Sequence, residues 1–281
     1  MKTGMVILNY NDYENTIKMI LQVRDYKNIN KIVVVDNHSA DSSVEKITPY
    51  LNKHVVLVEA RKNGGYAFGN NLGLKYLEKN TDCELVIISN PDVLVSESVI
   101  TELIHDMKKD ESISFLGPKV LERGHITKGW KLPSLWCEAL SCINYFNRYS
   151  FNMQKYPDDY YNEKIVRVEV LHGCFFMARL KGFKKIKYFD PHTFLYYEEN
   201  IIAKKAYVYD LKTCVDTSLS VTHLASQTVS KNLNKIRKYK ALKKSMFYYE
   251  KKYNHLNILG MIFLKVLYYI SLGIAYLTFW I

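Results

Sequence analysis

Short apolar runs alternate with amphipathic stretches over the first 120 residues or so. The apolar runs predict five strands, at Met5–Asn9, Lys31–Asp36, Val55–Glu59, Leu85–Ser89 and Ser114–Gly117. Apolar residues spaced by three and four predict helices between them, at Tyr13–Arg24, Ser42–Leu51, Gly69–Leu77 and Ser98–Lys108. This alternation is typical of βα units that build a largely parallel sheet flanked by helices.

The regular pattern stops between Glu122 and Lys164, where aromatic residues occur without a clean period. They are Trp130, Trp136, Tyr145, Phe146, Tyr149, Tyr156, Tyr160 and Tyr161. We expect this segment to lie over a cleft. Regularity returns in the apolar run Val166–Leu180, which His172-Gly173 interrupts, and Lys181–His192 is predicted as a loop. A helix is predicted from about Tyr197, and a short strand, Leu219–Thr222, leads to His223.

The C-terminal part combines a basic stretch with an apolar tail. The basic residues are Lys231, Lys235, Arg237, Lys238, Lys240, Lys243, Lys244, Lys251 and Lys252. The tail, Leu256–Ile281, is 26 residues long with Lys265 as its one charge. A membrane span needs about 20 apolar residues, but tyrosines and a tryptophan also suit a helix lying at the interface. A buried hydrophobic helix is the third alternative.

Charge and cysteine content narrow the class of partner and the compartment. The net charge of +11 would attract any polyanion. A nucleic-acid-binding protein would spread this charge along a groove with interleaved aromatics, whereas here it precedes an apolar tail, which favours a membrane surface and no nucleic acid. The five cysteines are scattered and odd in number, so we expect a reducing compartment. We expect no signal peptide, because Met1–Leu8 runs directly into the first predicted strand.

Polar residues follow the predicted strands, and ligands of such sheets lie beyond the carboxyl ends of the strands. These residues are Asn9, Tyr10 and Asn11, then Asp36, then Asn63, Gly64, Gly65, Tyr66 and Asn70, and finally Asn90 and Asp92. A carboxylate such as Asp36 can accept a base N–H or a ribose hydroxyl, or it can cap a turn. Glycines let the backbone approach a phosphate closely, although the segment is neither a Walker loop nor a dinucleotide fingerprint.

Four acidic or imidazole side chains offer chemistry. Asp92 can hold Mg²⁺ or Mn²⁺ against a diphosphate, or it can start a helix after an Asn-Pro turn. Glu198 and Glu199 offer a general base, and because successive helical residues point about 100° apart, only one of them can face a reaction. The alternative is a solvated acidic pair at a helix start. His223 could ligate a metal or contact phosphate, or it could be structural.

Taken together, the ordered strings VILNYND, VVDNHSADSS, KNGGYAFGNN, ISNPDV, HGCFFM, FLYYEENI and SVTH resemble the family 2 glycosyltransferases of bacterial surface-polysaccharide synthesis, especially rhamnosyltransferase-like members. The resemblance covers about Met5 to His223. It implies a GT-A fold, with a Rossmann-like, mostly parallel mixed sheet. It also implies a catalytic domain over residues 1–225, with nucleotide-sugar binding in 1–120 and acceptor binding in 121–225, and a basic and hydrophobic extension over 226–281.

The resemblance also implies roles for individual residues. Asn9, Tyr10, Asn11 and Asp36 would bind the nucleotide, and Asn63, Gly64, Gly65, Tyr66 and Asn70 would shape the donor pocket. Asn90 and Asp92 stand at the DxD motif, with Asp92 and His223 on the metal, and Glu199 stands at the catalytic base. Two departures are Asn90 for the first acid of DxD and Glu199, beside Glu198, where the family has Asp. Trp130 and His172 are our candidates for the acceptor site.

The implied activity is inverting, metal-dependent transfer of a hexosyl or rhamnosyl group from a UDP- or dTDP-sugar. The acceptor would be a hydroxyl of a polyprenyl-diphosphate-linked saccharide, at the cytoplasmic face of the cell membrane, with the protein peripheral or tail-anchored. The cofactor would be Mg²⁺ or Mn²⁺, and the pathway capsule, O-antigen or cell-wall polysaccharide synthesis. A nucleotide-sugar binding protein of the same fold without turnover is the main alternative.

Overall fold

A computed structural model describes residues 1–143, 147–224 and 235–278. Its strands are β1 (Thr3–Asn9), β2 (Lys31–Asp36), β3 (Val55–Glu59), β4 (Leu85–Ser89), β5 (Val93–Leu94), β6 (Ile113–Glu122), β7 (His125–Thr127), β8 (Ile165–Arg167), β9 (Phe175–Arg179) and β10 (Lys212–His223). Its helices are α1 (Tyr13–Val23), α2 (Ser43–Ile47), α3 (Tyr66–Asn80), α4 (Glu97–Lys109), α5 (Leu135–Ser141), α6 (Asn147–Met153), α7 (Leu180–Lys185), α8 (Glu198–Val208), α9 (Lys235–Lys252) and α10 (Ile258–Thr278).

The strands form one mixed sheet in the order β3-β2-β1-β4-β9-β6-β10-β5. Strands β3, β2, β1 and β4 run parallel, and β6 and β10 are also parallel to each other. Strand β9 is antiparallel to both β4 and β6, and β5, β7 and β8 add short antiparallel pairs at the margins. The chain moves outward from β1 to β3 and then returns to β4, so β1 and β4 flank a topological switch point.

Helices cover both faces of the sheet. Met5 and Ile7 of β1 pack with α1, α2 and α4 on one face, while Val6 between them packs with α3, α7 and α8 on the other. Successive strand side chains point to opposite faces, so a doubly covered strand is apolar at every position. The first four predicted strands are confirmed. They could be recognised because they are continuous apolar runs.

Four predictions from the sequence differ from the structure. The strand predicted at Ser114–Gly117 extends over Ile113–Glu122, and that predicted at Leu219–Thr222 extends over Lys212–His223, because β6 and β10 pair along their polar ends as well. The loop predicted at Lys181–His192 begins with helix α7 instead, which buries Phe183 in the core. Helix α3 starts at Tyr66 rather than Gly69.

The C-terminal helices α9 and α10 pack on α5 through a small separate cluster, formed by Ala139, Cys142, Met246 and Leu264. One lysine of the basic stretch, Lys243, is buried and donates to Ser141 Oγ at 2.6 Å, so the stretch is not uniformly exposed. No helix within residues 1–143, 147–224 and 235–278 combines the length and apolar character needed to cross a membrane. The expected boundary at 225/226 and Tyr145, Phe146, Lys231 and Trp280 lie outside the described residues.

Candidate functional site

Asn9 and Asp36 end β1 and β2 and lie at the same edge of the sheet, where they form a buried polar network. Asn9 Nδ2 donates to Asp36 Oδ1 at 2.7 Å, and Asn9 Oδ1 accepts from Thr16 Oγ1 at 2.8 Å. Asp36 also accepts from the Ser39 hydroxyl at 2.6 Å and the Ser39 N–H at 2.9 Å. Because its two oxygens already accept three hydrogen bonds, Asp36 holds the loop after β2 in place and orients the Asn11 backbone, whose N–H donates to Ser39 Oγ at 2.9 Å.

The glycine-rich segment is held beside this network by Asn37. Its Nδ2 donates to Asn63 Oδ1 at 3.0 Å and to the carbonyl of Gly65 at 3.1 Å. Gly65 has φ of +87°, and a Cβ there would lie 2.0 Å from the carbonyl oxygen of Phe194. A side chain is therefore excluded at this position. Gly64 precedes it in the same turn, and Tyr10 and Asn11 lie half-buried at the opposite loop.

Tyr66 and Asn70 lie in the first turns of α3 and face inward. The Tyr66 hydroxyl donates to the carbonyl of Gly173 at 2.7 Å, which ties α3 to the segment that precedes β9. Asn70 is fully buried, with its Nδ2 on the Tyr66 carbonyl at 3.1 Å. The neighbouring Asn71 exchanges two 3.0 Å hydrogen bonds with the backbone of Phe189. These side chains hold the walls of the site together.

A carboxylate and imidazole cluster lies at the ends of β4, β6 and β10. His223 Nε2 lies 3.2 Å from Asp92 Oδ1, and His223 Nδ1 lies 2.9 Å from Glu122 Oε2. His172 Nε2 approaches Glu122 Oε2 at 3.6 Å. Asp92 and His223 are buried. The cluster thus alternates two carboxylates with two imidazoles.

The cluster shifts the proton affinities of its members. Burial lowers the pKa of His223, but its hydrogen bonds to Asp92 and Glu122 outweigh burial and raise the pKa to about 9. His172 first, and His223 second, hold the pKa of Glu122 well below its usual range. Without a bound cation His223 is therefore an imidazolium at neutral pH, and its two ring nitrogens donate to Asp92 and Glu122.

Glu198 and Glu199 open helix α8 but have different surroundings. Glu198 is buried, its Oε1 has no hydrogen-bond partner among the described residues, and burial, with the neighbouring Glu199 charge, raises its pKa to about 8. Glu199 is only half-buried and lies against Gly173, where an added Cβ would be 2.8 Å from Glu199 Oε1. Burial thus favours the neutral acid at Glu198, and Glu199 is the more exposed of the two carboxyl groups.

Gly173 leaves the space that the Glu199 carboxylate occupies, so we expect Gly173→Ala to displace it. If Glu199 takes part in the reaction, displacing it by about 1 Å should lower the rate by about 100-fold. The measurement is the initial rate of transfer. Gly182→Ala is the matched control, because a Cβ at Gly182 meets its nearest neighbour, Ser114 Cβ, at 3.4 Å. Equal rates for Gly173→Ala and wild type would contradict this role for the glycine.

Asp92 and His223 suit a divalent cation by their donor chemistry. A carboxylate oxygen of Asp92 and an imidazole nitrogen of His223 lie 3.2 Å apart. Because a divalent cation takes about six ligands, two protein ligands would leave the other positions for diphosphate oxygens and water. His172, Cys174 and His223 also offer donor atoms within 4.8 Å of one another. Burial first, and then the Asp92 charge, raise the pKa of the Cys174 thiol well above its ordinary value, so this sulfur is a neutral group at the site.

The candidate acceptor residues adjoin the cluster. The Trp130 ring lies edge-on to His172 with centroids 6.1 Å apart, and Trp130 pairs by its backbone with Val170. Trp136, by contrast, is exposed on α5, with its ring 6.4 Å from that of Phe263 in α10. The structure therefore brings Trp130 and His172 to the cluster. Trp136 instead contacts α10, away from the cluster.

Four residues of the site went unrecognised in the sequence: Ser39, Glu122, Gly173 and Cys174. Glu122 pairs in register with His223 across β6 and β10, so the signal would have been a β6 strand long enough to reach it. Gly173 and Cys174 stand inside the HGC string, next to His172. Their importance comes from the approach of α8, which no local pattern reveals.

Comparison with known proteins identifies the family. A model of the family described as glycosyl transferase family 2 matches residues 5–187. The low-salt glycan biosynthesis hexosyltransferase Agl10 of Haloferax volcanii is 26% identical over 196 residues, which make up 70% of this chain and 58% of that protein. The chain thus spans less than two thirds of this relative.

Solved structures share the fold at low sequence identity. GalNAc-T7, solved with UDP, GalNAc and Mn²⁺, has a TM-score of 0.60 at 16% identity and covers 80% of this chain and 44% of its own. TarS 1–349 of S. aureus has a TM-score of 0.58 at 14% identity, and the match covers 90% of this chain and 72% of that chain. The mannosyltransferase PcManGT of Pyrobaculum calidifontis, solved with GDP-Man and Mn²⁺, has a TM-score of 0.57 at 13% identity. The match covers 85% of this chain and 61% of that chain. The predicted α/β class and GT-A fold are confirmed.

Proposed function

The chain belongs to glycosyl transferase family 2, and we propose that it transfers a sugar from a nucleotide-diphospho-sugar to a saccharide hydroxyl with inversion. One observation carries the proposal. The Asp92–His223 pair and the Glu199 carboxylate converge on the segment Gly173-Cys174, at the carboxyl ends of the parallel strands. Ligands of such sheets bind at this edge. Direct displacement at an anomeric carbon requires a group that binds the diphosphate and a base that activates the acceptor. Both proposed groups lie at this edge of the sheet.

Glu199 is the proposed general base. It takes the proton of the acceptor hydroxyl while that oxygen attacks the anomeric carbon and the bond to the donor diphosphate breaks. Burial of Glu198 favours its neutral form, so Glu199 is the proposed base of the pair. In this role Glu199 removes a proton and does not bond to the anomeric carbon, so the proposed reaction is a single displacement without a covalent glycosyl-enzyme.

Asp92 and His223 are the proposed ligands of Mg²⁺ or Mn²⁺, with Asn90 beside them. The cation, when bound, neutralises charge on the departing nucleoside diphosphate. Glu122 holds the His223 ring by its Nδ1 atom at 2.9 Å, so that Nε2 faces Asp92. Two of the structural neighbours were solved with Mn²⁺ and a UDP or GDP-sugar component, which supports a divalent cation here.

The proposed donor pocket lies between the loops after β1, β2 and β3. Asp36 and Asn9 fix the loop backbones, so that Tyr10, Asn11 and the glycine-rich turn form the proposed walls for a UDP- or dTDP-sugar. A hexose or rhamnose is the proposed sugar. Trp130 and His172 form the proposed acceptor side.

A panel of nucleotide-sugars tests the proposed activity. The purified chain with Mn²⁺ is incubated with UDP-, dTDP- and GDP-sugars, and both thermal stabilisation and release of nucleoside diphosphate are measured. A true donor at 100 times its Kd should stabilise the fold by about 2.7 kcal/mol. Stabilisation together with release supports a transferase. Stabilisation without release, over a panel of saccharide acceptors, would instead support the binding protein without turnover.

We also propose that α9 and α10 place the enzyme on an anionic membrane surface, where it meets a polyprenyl-diphosphate-linked acceptor of bacterial polysaccharide synthesis. Apolar side chains at helical spacing on α10 are exposed: Ile258, Leu259, Ile262, Val266, Tyr269, Ile270 and Ile274. Lys240 of α9 borders this face, with its Nζ 2.8 Å from the Tyr276 hydroxyl. An apolar face bordered by lysines is typical of helices that lie in the interface.

Vesicle partitioning tests the membrane proposal. The double substitution Ile262→Ser/Ile270→Ser removes two side chains that are 52% and 57% exposed. We expect it to lower partitioning to vesicles that contain phosphatidylglycerol by about ten-fold or more, since each lost isoleucine removes about 1 kcal/mol of lipid burial. Leu21→Ser/Ile126→Ser is the matched control, with exposures of 44% and 60% elsewhere on the surface. Equal losses in both doubles would contradict a membrane role for α10.

A further inference from the structure

A cavity of about 460 Å³ lies between the loop after α7, the second half of α8 and the segment that follows α9. Its basic lining consists of Lys187, Lys204, Lys205, Lys252, His192 and His255. Asp190 is the carboxylate among the residues that line it. Glu199 lies in the first turn of α8, whereas the helix contributes to this cavity only from Lys204 onward. The cavity is therefore separate from the proposed transfer centre.

The single carboxylate is already occupied. Asp190 Oδ2 accepts from Lys252 Nζ at 2.8 Å, from the Tyr248 hydroxyl at 2.7 Å and from the Tyr253 hydroxyl at 2.5 Å. Its other oxygen lies 2.6 Å from His192 Nδ1. Burial alone would raise the pKa of Asp190, but these hydrogen bonds outweigh burial and hold it well below its usual range. Asp190 thus stays ionised and pairs directly with Lys252.

The remaining cations crowd one another. Lys205 is half-buried and donates to the backbone carbonyl of Tyr188, a neutral partner. Burial, against the attraction of Asp190 and together with the charges of Lys252 and Lys187, lowers its pKa to about 8. Several cations that share a partly enclosed space repel one another, and a bound anion with several oxygens would remove this repulsion.

We infer that this cavity binds a phosphate group, carried either by the headgroup of an anionic lipid or by free phosphate. Lysine ammonium groups bind phosphate as point charges and can gather around one tetrahedral anion, and the cavity has room for a headgroup as well. The position favours the lipid source: α10 begins three residues after His255, with Ile258 and Leu259 more than 70% exposed. The lipid source rests on the membrane association proposed above, whereas the phosphate site does not.

Phosphate titration tests the site itself. The full chain is titrated with inorganic phosphate at constant ionic strength and without divalent metal, and thermal stabilisation is recorded. We expect saturable stabilisation, with the apparent Kd raised about ten-fold or more in Lys187→Gln/Lys204→Gln, because each lysine near a phosphate surface contributes about a five-fold effect. Lys108→Gln/Lys181→Gln is the control, since both lysines are exposed and lie outside the cavity. Identical titrations for wild type and the cavity double would overturn the proposal.

Vesicle partitioning distinguishes the two sources. The same variants are mixed with phosphatidylcholine vesicles with and without phosphatidylglycerol. A loss of partitioning in the cavity double that the control double does not show assigns the site to a lipid headgroup. A loss of phosphate binding with unchanged partitioning assigns it to free phosphate. Neither readout depends on sugar transfer, so failure here is distinguishable from failure of the proposed activity, and the unliganded melting temperature of each variant checks its fold.

Discussion

Replacing Glu199 by Gln is expected to lower kcat by about 10²–10⁴-fold, the usual contribution of a general base. The amide would keep the size and position of the side chain against Gly173 but could not take a proton. Donor binding should be nearly unchanged, because the proton is transferred only as the new bond forms. Initial rates of nucleoside diphosphate release, together with the donor-induced rise in melting temperature, measure the two effects separately.

Glu198→Gln is the matched control, one residue away on the same helical turn. Burial and the Glu199 charge raise the pKa of Glu198 to about 8, so the wild-type side chain already carries a proton at pH 7. Exchange of a neutral acid for a neutral amide should leave kcat within about three-fold of wild type, far from the loss expected of a general base. A large loss in Glu198→Gln with an active Glu199→Gln would reverse the assignment of the base.

Replacing Asp92 by Asn should lower kcat/KM by about 10²–10³-fold, since removal of one group that stabilises developing charge in a transition state costs about 3–4 kcal/mol. The metal dependence should change as well. The amide side chain keeps the hydrogen-bonding shape of the carboxylate but loses the charge that attracts the cation, so the concentration of Mn²⁺ needed for half-maximal rate should rise.

The matched control for Asp92 is Asp106→Asn, another buried carboxylate, which pairs with Lys164 at 2.8 Å away from the site. This variant should lose stability and keep its dependence on Mn²⁺. If Asp92→Asn showed the wild-type dependence on Mn²⁺, the proposed metal site would be wrong.

The parallel half of the fold could be predicted from sequence because burial on both faces leaves a direct record. Strands β1 to β4 are unbroken apolar runs, and the polar residues that follow them, Asn9 and Asp36, meet at one edge as the topology requires. The position of Asp92 after β4 follows from the same pattern, whereas the GT-A architecture was implied by the resemblance to family 2 glycosyltransferases.

The other half of the sheet, which contains the antiparallel strand β9, could not be predicted in the same way, because its strands depend on long-range partners. Strands β6 and β10 continue to Glu122 and His223 through alternating and polar positions, and their pairing stabilises them where composition does not. The second carboxylate of the cluster was missed for this reason. The difference between Glu198 and Glu199 is also a tertiary effect, since burial of Glu198 and the gap at Gly173 arise only when α8 packs against the segment before β9.

The most direct test of the central claim is the location of Mn²⁺ in a crystal grown with the nucleoside diphosphate of the productive donor. Anomalous scattering measured near the manganese edge identifies the ion without reference to activity. We predict a single strong peak within about 2.5 Å of an Asp92 carboxylate oxygen and of His223 Nε2, with diphosphate oxygens completing the coordination. A nucleotide bound beside an intact Asp92–His223 contact, with manganese elsewhere or absent, would contradict the account.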